Sequence, residues 1–91
     1  MIHLHDELDL HAEDVVRVSL DRRANVRLMD EANYARYCRG EKFSFYGGGA
    51  KQTPVNIVAP APGRWHLVVD LGGYPGRVRV THEIVSRKHV A

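Results

Sequence analysis

At 91 residues the chain reads as one domain, spanning 1–91, large enough to bury a core and too small for a second core or a deep active-site cavity. Charged residues at 26% and hydrophobic ones at 44% exclude a disordered or membrane-like composition. The formal charge of +2, from 13 Lys and Arg against 11 Asp and Glu, gives no grounds for nucleic-acid binding.

The N-terminal "MIHLHDELDL" carries charges where a signal peptide needs an apolar core, and no run approaches the length of a membrane span. The lone Cys38 cannot form an internal disulfide, so the cytoplasm is the expected compartment. His3, His5 and His11, with Asp6, Glu7 and Asp9 between them, leave two readings open. Imidazoles at i and i+2 on a strand share a face and can hold a metal, or the segment is a solvated edge.

In "DVVRVSLD" Val16, Val18 and Leu20 alternate with Arg17 and Ser19, and in "NVRLMD" Val26 and Leu28 flank Arg27. Period-two alternation broken by the polar stretch 22–25 predicts two strands. "DEANYARYCRG" comes next, with Asp30 suited to accept from the free N–H groups of a helix's first turn and Gly40 suited to end it. The spacing predicts a helix over roughly 31–39, with Tyr34, Tyr37 and Cys38 on one face and Cys38 turned to the core.

"KFSFYG" and "TPVNIVA" both alternate as strands do, the second opening on Pro54, where proline is tolerated. "PAPG" at 60–63 is a turn. "RWHLVVD" puts Trp65, Leu67 and Val69 on one face, which predicts a buried Trp65, and "GGYPG" at 72–76 is the next turn. In "RVRVTHEIV" Val78, Val80, His82 and Ile84 oppose Arg77, Arg79, Thr81 and Glu83. About seven short strands and one helix imply a mainly β fold, an antiparallel β-sandwich of jelly-roll-like type with one short α-helix.

"SFYGGGAK" raises the question of a phosphate cradle. Ala50 stands where a phosphate loop has the glycine before its lysine, and the segment after Lys51 reads as strand instead of helix, so the run is expected to be a connection whose backbone needs positive φ. "HEIVS" at 82–86 resembles a zinc-protease motif, but Ser86 replaces the second histidine and the segment alternates as a strand, where i and i+4 lie too far apart to share an ion. No serine sits in a nucleophile elbow, and the pair Asp30 and Glu31 is placed for helix capping. The expectation is a protein without catalytic residues, metal or cofactor. Arg17, Arg27, Arg77 and Arg79 all face away from the valines of their strands, forming either an anion-binding face or one neutralised by Asp70, Glu83 and Asp14.

One set of residues carries a family likeness: Leu28-Met29-Asp30, Asn33-Tyr34, Tyr37, Gly40, Tyr46-Gly47-Gly48, Pro60, Gly63, Trp65 and Asp70-Leu71-Gly72-Gly73. With this signature the chain, from Asp14 to Ile84, resembles a small bacterial family catalogued as a domain of unknown function, found alone and fused to TIR domains. The resemblance implies a β-sandwich with a short helix, and a sensing or adaptor role beside signalling or NAD-cleaving partners. It brings no catalytic residues. Glu13-Asp14 departs from the family by standing where a Gly-Asp turn is usual, and the proline of "GGYPG" departs from a glycine-rich turn.

The resulting expectation is a non-enzymatic binding or adaptor module for a small anion or a protein, with no membrane partner. Its working surface would comprise Asp30, Asn33, Tyr34, Tyr37, Tyr46, Gly47, Gly48, Gly72, Gly73 and Tyr74. The alternatives are that these residues only anchor the helix across the sandwich, or that the chain is the sensing part of an enzyme or signalling system, with a nucleotide-like anion held by glycine N–H groups and Arg39 or Lys51.

Overall fold

A computed structural model describes residues 4–51, 53–72 and 76–86. In chain order the elements are β1 (Leu4–Leu10), β2 (Val15–Leu20), β3 (Ala24–Asp30), α1 (Glu31–Cys38), β4 (Tyr46–Ala50), β5 (Val55–Val58), β6 (Gly63–Asp70) and β7 (Val80–Val85). The strands form two antiparallel sheets, one of four strands in the order β1-β6-β3-β4 and one of three in the order β5-β2-β7. Every connection except β3 to β4 changes sheet. The expected sandwich with a single helix is therefore the observed architecture.

Alternation decides which side chains fill the space between the sheets. Leu8 and Leu10 of β1, Val26 and Leu28 of β3, and Trp65, Leu67 and Val69 of β6 meet Val16, Val18 and Ile57 of the smaller sheet. Trp65 is 6% exposed, and its indole N–H donates to the Ala61 carbonyl at 3.0 Å, so the ring is buried with its polar end satisfied.

The larger sheet is buried on its outer face as well. There Met29 and Val68 are inaccessible and His66 and Asp70 nearly so, because the helix packs against β3 and β6. The helix starts where Asp30 accepts from the Asn33 N–H at 2.8 Å. It stops in a Schellman arrangement in which Gly40, at φ +73°, and Glu41 donate to the Tyr37 and Arg36 carbonyls.

Four expectations change. Cys38 is exposed, because it lies about 100° round the helix from Tyr37 in the final turn, past the stripe that meets the sheet. Lys42 to Phe45 form no strand; Phe43 and Phe45 lie as a return loop beside Tyr37 and Arg27. The glycine run is itself the edge strand β4 and not a connection, though it keeps the expected backbone, with Gly47 at φ +117° and Gly48 at φ +147°. The last strand also begins at Val80, leaving Arg77 and Arg79 before it.

Candidate functional site

The polar chemistry of the described residues concentrates on the helix-covered face of the larger sheet, in two neighbouring groups. β-pairing sets Asn25 opposite Asp70 and Arg27 opposite Val68, so Asn25, Arg27 and Asp70 all project from that face. The Asp70 carboxylate is the hub. It accepts from Asn25 Nδ2 at 3.0 Å, from the Tyr37 hydroxyl at 3.2 Å and from the Gly72 N–H at 2.8 Å, and it forms an ion pair with Arg27. Burial disfavours its charge, but these hydrogen bonds and the Arg27 charge outweigh burial and hold its pKa below the usual carboxylate range. The Tyr37 phenol is pushed up, first by burial and then by the Asp70 charge it faces.

Above Arg27 lie three rings, Phe45, Phe43 and Tyr37, with centroids 5.2, 5.9 and 6.0 Å from the guanidinium carbon. Cation–π attraction compensates in part for a buried Nε that has no hydrogen-bond partner among the described residues. The return loop is thereby tied to the sheet.

The second group centres on the buried His66. Its Nε2 lies 2.9 Å from Glu31 Oε1, and its Nδ1 lies 2.7 Å from His5 Nε2. The Tyr34 ring stacks over both imidazoles, with centroids 4.2 Å from His5 and 4.5 Å from His66. Burial, together with the neighbouring Cys38, pushes the Tyr34 phenol up to about 12.

Among the residues expected to form the working surface, Tyr34, Tyr37 and Gly72 join these two groups. Asp30 and Asn33 serve the helix and its loop: Asp30 caps, and Asn33 Oδ1 accepts from the Ser44 N–H at 2.8 Å. Tyr46, Gly47 and Gly48 lie on the edge strand β4, with the Tyr46 ring edge-on to Trp65. Gly73 and Tyr74 lie outside the described residues. Of the outward arginines, Arg17 pairs with Glu83 at 3.1 Å and Arg27 with Asp70, as the compensated reading has it, while Asp14 instead accepts from the His11 N–H at 2.8 Å.

Arg39 is engaged by Glu41 at 2.8 Å. Lys51 lines a small open cleft of about 150 Å³ with Arg22, Arg23 and Thr53. The N-terminal histidines separate: His5 belongs to the Tyr34 group, His11 lies 3.6 Å from Asp14, and His3 is outside the described residues. His66 and Asp70 had no place in the site expected from the sequence. Their signal was "WHLVV", an apolar run too continuous for a strand with one wet face.

An antiparallel sandwich with one sheet face closed by a capped helix and a buried Arg–Asp pair defines the class of domain. The chain belongs to the family described as a domain of unknown function, DUF1883, whose model matches residues 1–88. Neither the curated proteins nor the solved structures give a match. Among the described residues no helix is long and apolar enough to cross a membrane.

Proposed function

We propose that this domain is a non-enzymatic protein-binding module that works through the β4 edge of its larger sheet. The observation that carries the reading is the pair Phe45 and Tyr46, 40% and 50% exposed, at the start of the strand Tyr46–Ala50 at the sheet's end, in which three glycines follow Tyr46. Aromatic anchors dominate binding energy at protein interfaces, and an edge bare of side chains lets a partner's backbone approach the unpaired N–H and C=O groups. By contrast, Asn25, Arg27, Tyr37 and Asp70 under the helix are spent on one another, which suits a scaffold better than a reaction centre. The resemblance to a bacterial family found fused to TIR domains agrees with an adaptor role.

The test is capture of partners from the native host by the wild-type chain and by a Phe45→Ser/Tyr46→Ser variant whose fold is checked by circular dichroism. The reading expects partners lost selectively by the variant; an identical set retained by both overturns it.

A second reading, sensing of a small anion, is favoured by the cleft whose lining includes Arg22, Arg23, Lys51 and Thr53, with Asp21 as its one acidic residue. A thermal-shift panel of nucleotides, NAD and sugar phosphates tests it, since a ligand at a hundredfold over its Kd adds about 2.7 kcal/mol of stability. Lys51→Gln should abolish any such shift.

A further inference from the structure

The pairing of β1 with β6 places Glu7 directly opposite His66 and His5 opposite Val68. With side chains alternating between faces, His5, Glu7 and His66 therefore project from one face of two neighbouring strands. One donor atom from each lies within 4.8 Å of the other two. The two imidazoles have centroids 5.0 Å apart, planes within 12° of each other and facing nitrogens 2.7 Å apart, so they lie edge to edge in nearly one plane.

The protonation pattern is set by hydrogen-bond chemistry. The Glu31 carboxylate, as an acceptor, takes the His66 Nε2–H, which leaves the lone pair of neutral His66 on Nδ1, aimed at His5 Nε2. A carboxylate on the far nitrogen of a buried imidazole is the support that fixes ring orientation in metal-binding histidines.

We infer that His5 Nε2, His66 Nδ1 and a Glu7 carboxylate oxygen form a site for a divalent transition ion of the zinc type, with Glu31 as the positioning residue for His66 and Tyr34 covering one side of the ring pair. Two imidazoles and one carboxylate suit zinc and its neighbours; calcium and magnesium favour all-oxygen surroundings. Bonds of about 2.0–2.1 Å in a tetrahedral set place donors about 3.3 Å apart, between the 2.7 Å and 4.8 Å limits found here. Rotation of the exposed Glu7 and half-buried His5 side chains closes that difference with the strand register unchanged. The 3.7 Å contact of Glu7 with Arg64 is an exposed pair that opposes this weakly. The fourth position is left for water or a donor atom from a partner.

The experiment titrates the metal-stripped full chain with Zn²⁺ by calorimetry and thermal shift, and with Co²⁺ by visible absorption. One equivalent of Zn²⁺ is expected to bind and raise Tm. His5→Gln and Glu7→Gln should each weaken binding at least about tenfold, and Glu31→Gln, which removes no ligand, by about 10–100-fold. His11→Gln, on the exposed turn after β1, should leave affinity unchanged. Absence of one-to-one binding, or binding that survives both His5→Gln and Glu7→Gln, overturns the site and leaves a hydrogen-bonded chain that only holds the helix down. Should a variant not fold, the wild-type cobalt spectrum decides: absorption typical of a tetrahedral nitrogen-containing set supports the site, and the spectrum of the aquo ion overturns it.

Discussion

The Tyr37 hydroxyl, on the helix, donates to Asp70 Oδ2, the same oxygen that holds the Arg27 guanidinium. A residue of the covering layer and one of the central strand β6 are thus joined through a buried charge, and the pair cannot be separated without leaving that charge exposed to an apolar surrounding. Removing one member of a buried pair costs about 3–5 kcal/mol, against a total stability of about 5–15 kcal/mol for a typical domain. Asp70→Ala and Arg27→Ala should each bring the chain close to unfolding in a urea titration, and Arg27→Met/Asp70→Leu should be more stable than either.

The same carboxylate sets the acid limit. Its folded pKa lies below the ordinary value of 3.8, so its contribution is present above that value and is lost as pH falls through the lower folded pKa. The stability gap between wild type and Asp70→Asn should therefore be constant at neutral pH and shrink below about pH 4. A gap unchanged down to pH 2 would show that folding leaves the Asp70 pKa at its ordinary value.

Alkaline pH probes the other group. Tyr34 is raised from 10.0 to about 12 in the folded chain, so between these values the unfolded state has already released a proton that the folded state retains. Stability therefore falls as pH rises from 10 towards 12. Tyr34→Phe, which keeps the ring over His5 and His66, should show a shallower decline in the same window. Equal slopes for the two proteins would place the phenol in water.

Much of the scaffold was legible because it rests on local rules. Asp30 and Gly40 bracket the helix in sequence and cap it in space, and Val16, Val18 and Leu20 alternate as they pack. The illegible part depends on which of two sheet faces an element covers. Helical periodicity puts Tyr34 and Tyr37 together, but nothing local says that they roof the outer face of the larger sheet, and so Cys38 turns out exposed. Glycines carry no alternation, so Tyr46–Ala50 could not announce itself as a strand. The meeting of His5 with His66 depends on a register set 61 residues apart in the chain.

Glu13 stands at a position whose backbone favours glycine. Glu13 is the single non-glycine residue at positive φ among those described, at +70°, in the turn between β1 and β2. A β-carbon in that region costs about 1–2 kcal/mol, which explains why a glycine suits this turn. Glu13→Gly relieves that strain while adding freedom to the unfolded chain, a cost of about 0.5–1 kcal/mol. The net expectation is a melting temperature unchanged or raised by a few degrees, with the Glu13 N–H bond to the Ala59 carbonyl retained. A marked fall in Tm would mean that the glutamate side chain, not the turn backbone, matters here.

The glycine strand supplies the sharpest comparison between neighbours. Gly47 and Gly48 both have positive φ, so alanine at either is strained, by about 1–2 kcal/mol. Their surroundings differ. A β-carbon on Gly47 would run into the backbone carbonyl oxygen of Val26 on β3, an atom that cannot swing aside without breaking strand pairing, and it would also crowd Ile57 Cδ1 at 3.2 Å. On Gly48 it would meet open space. Gly48→Ala should therefore lower stability by the conformational cost alone, and Gly47→Ala by distinctly more, with β4 displaced from the sheet. Because Phe45 precedes and Tyr46 opens this strand, Gly47→Ala should also impair any partner binding at the β4 edge, whereas Gly48→Ala should spare it at temperatures where the domain stays folded. Paired melting curves decide the first point; equal losses for the two variants would mean that φ alone, and not the approach of Val26, requires glycine at position 47.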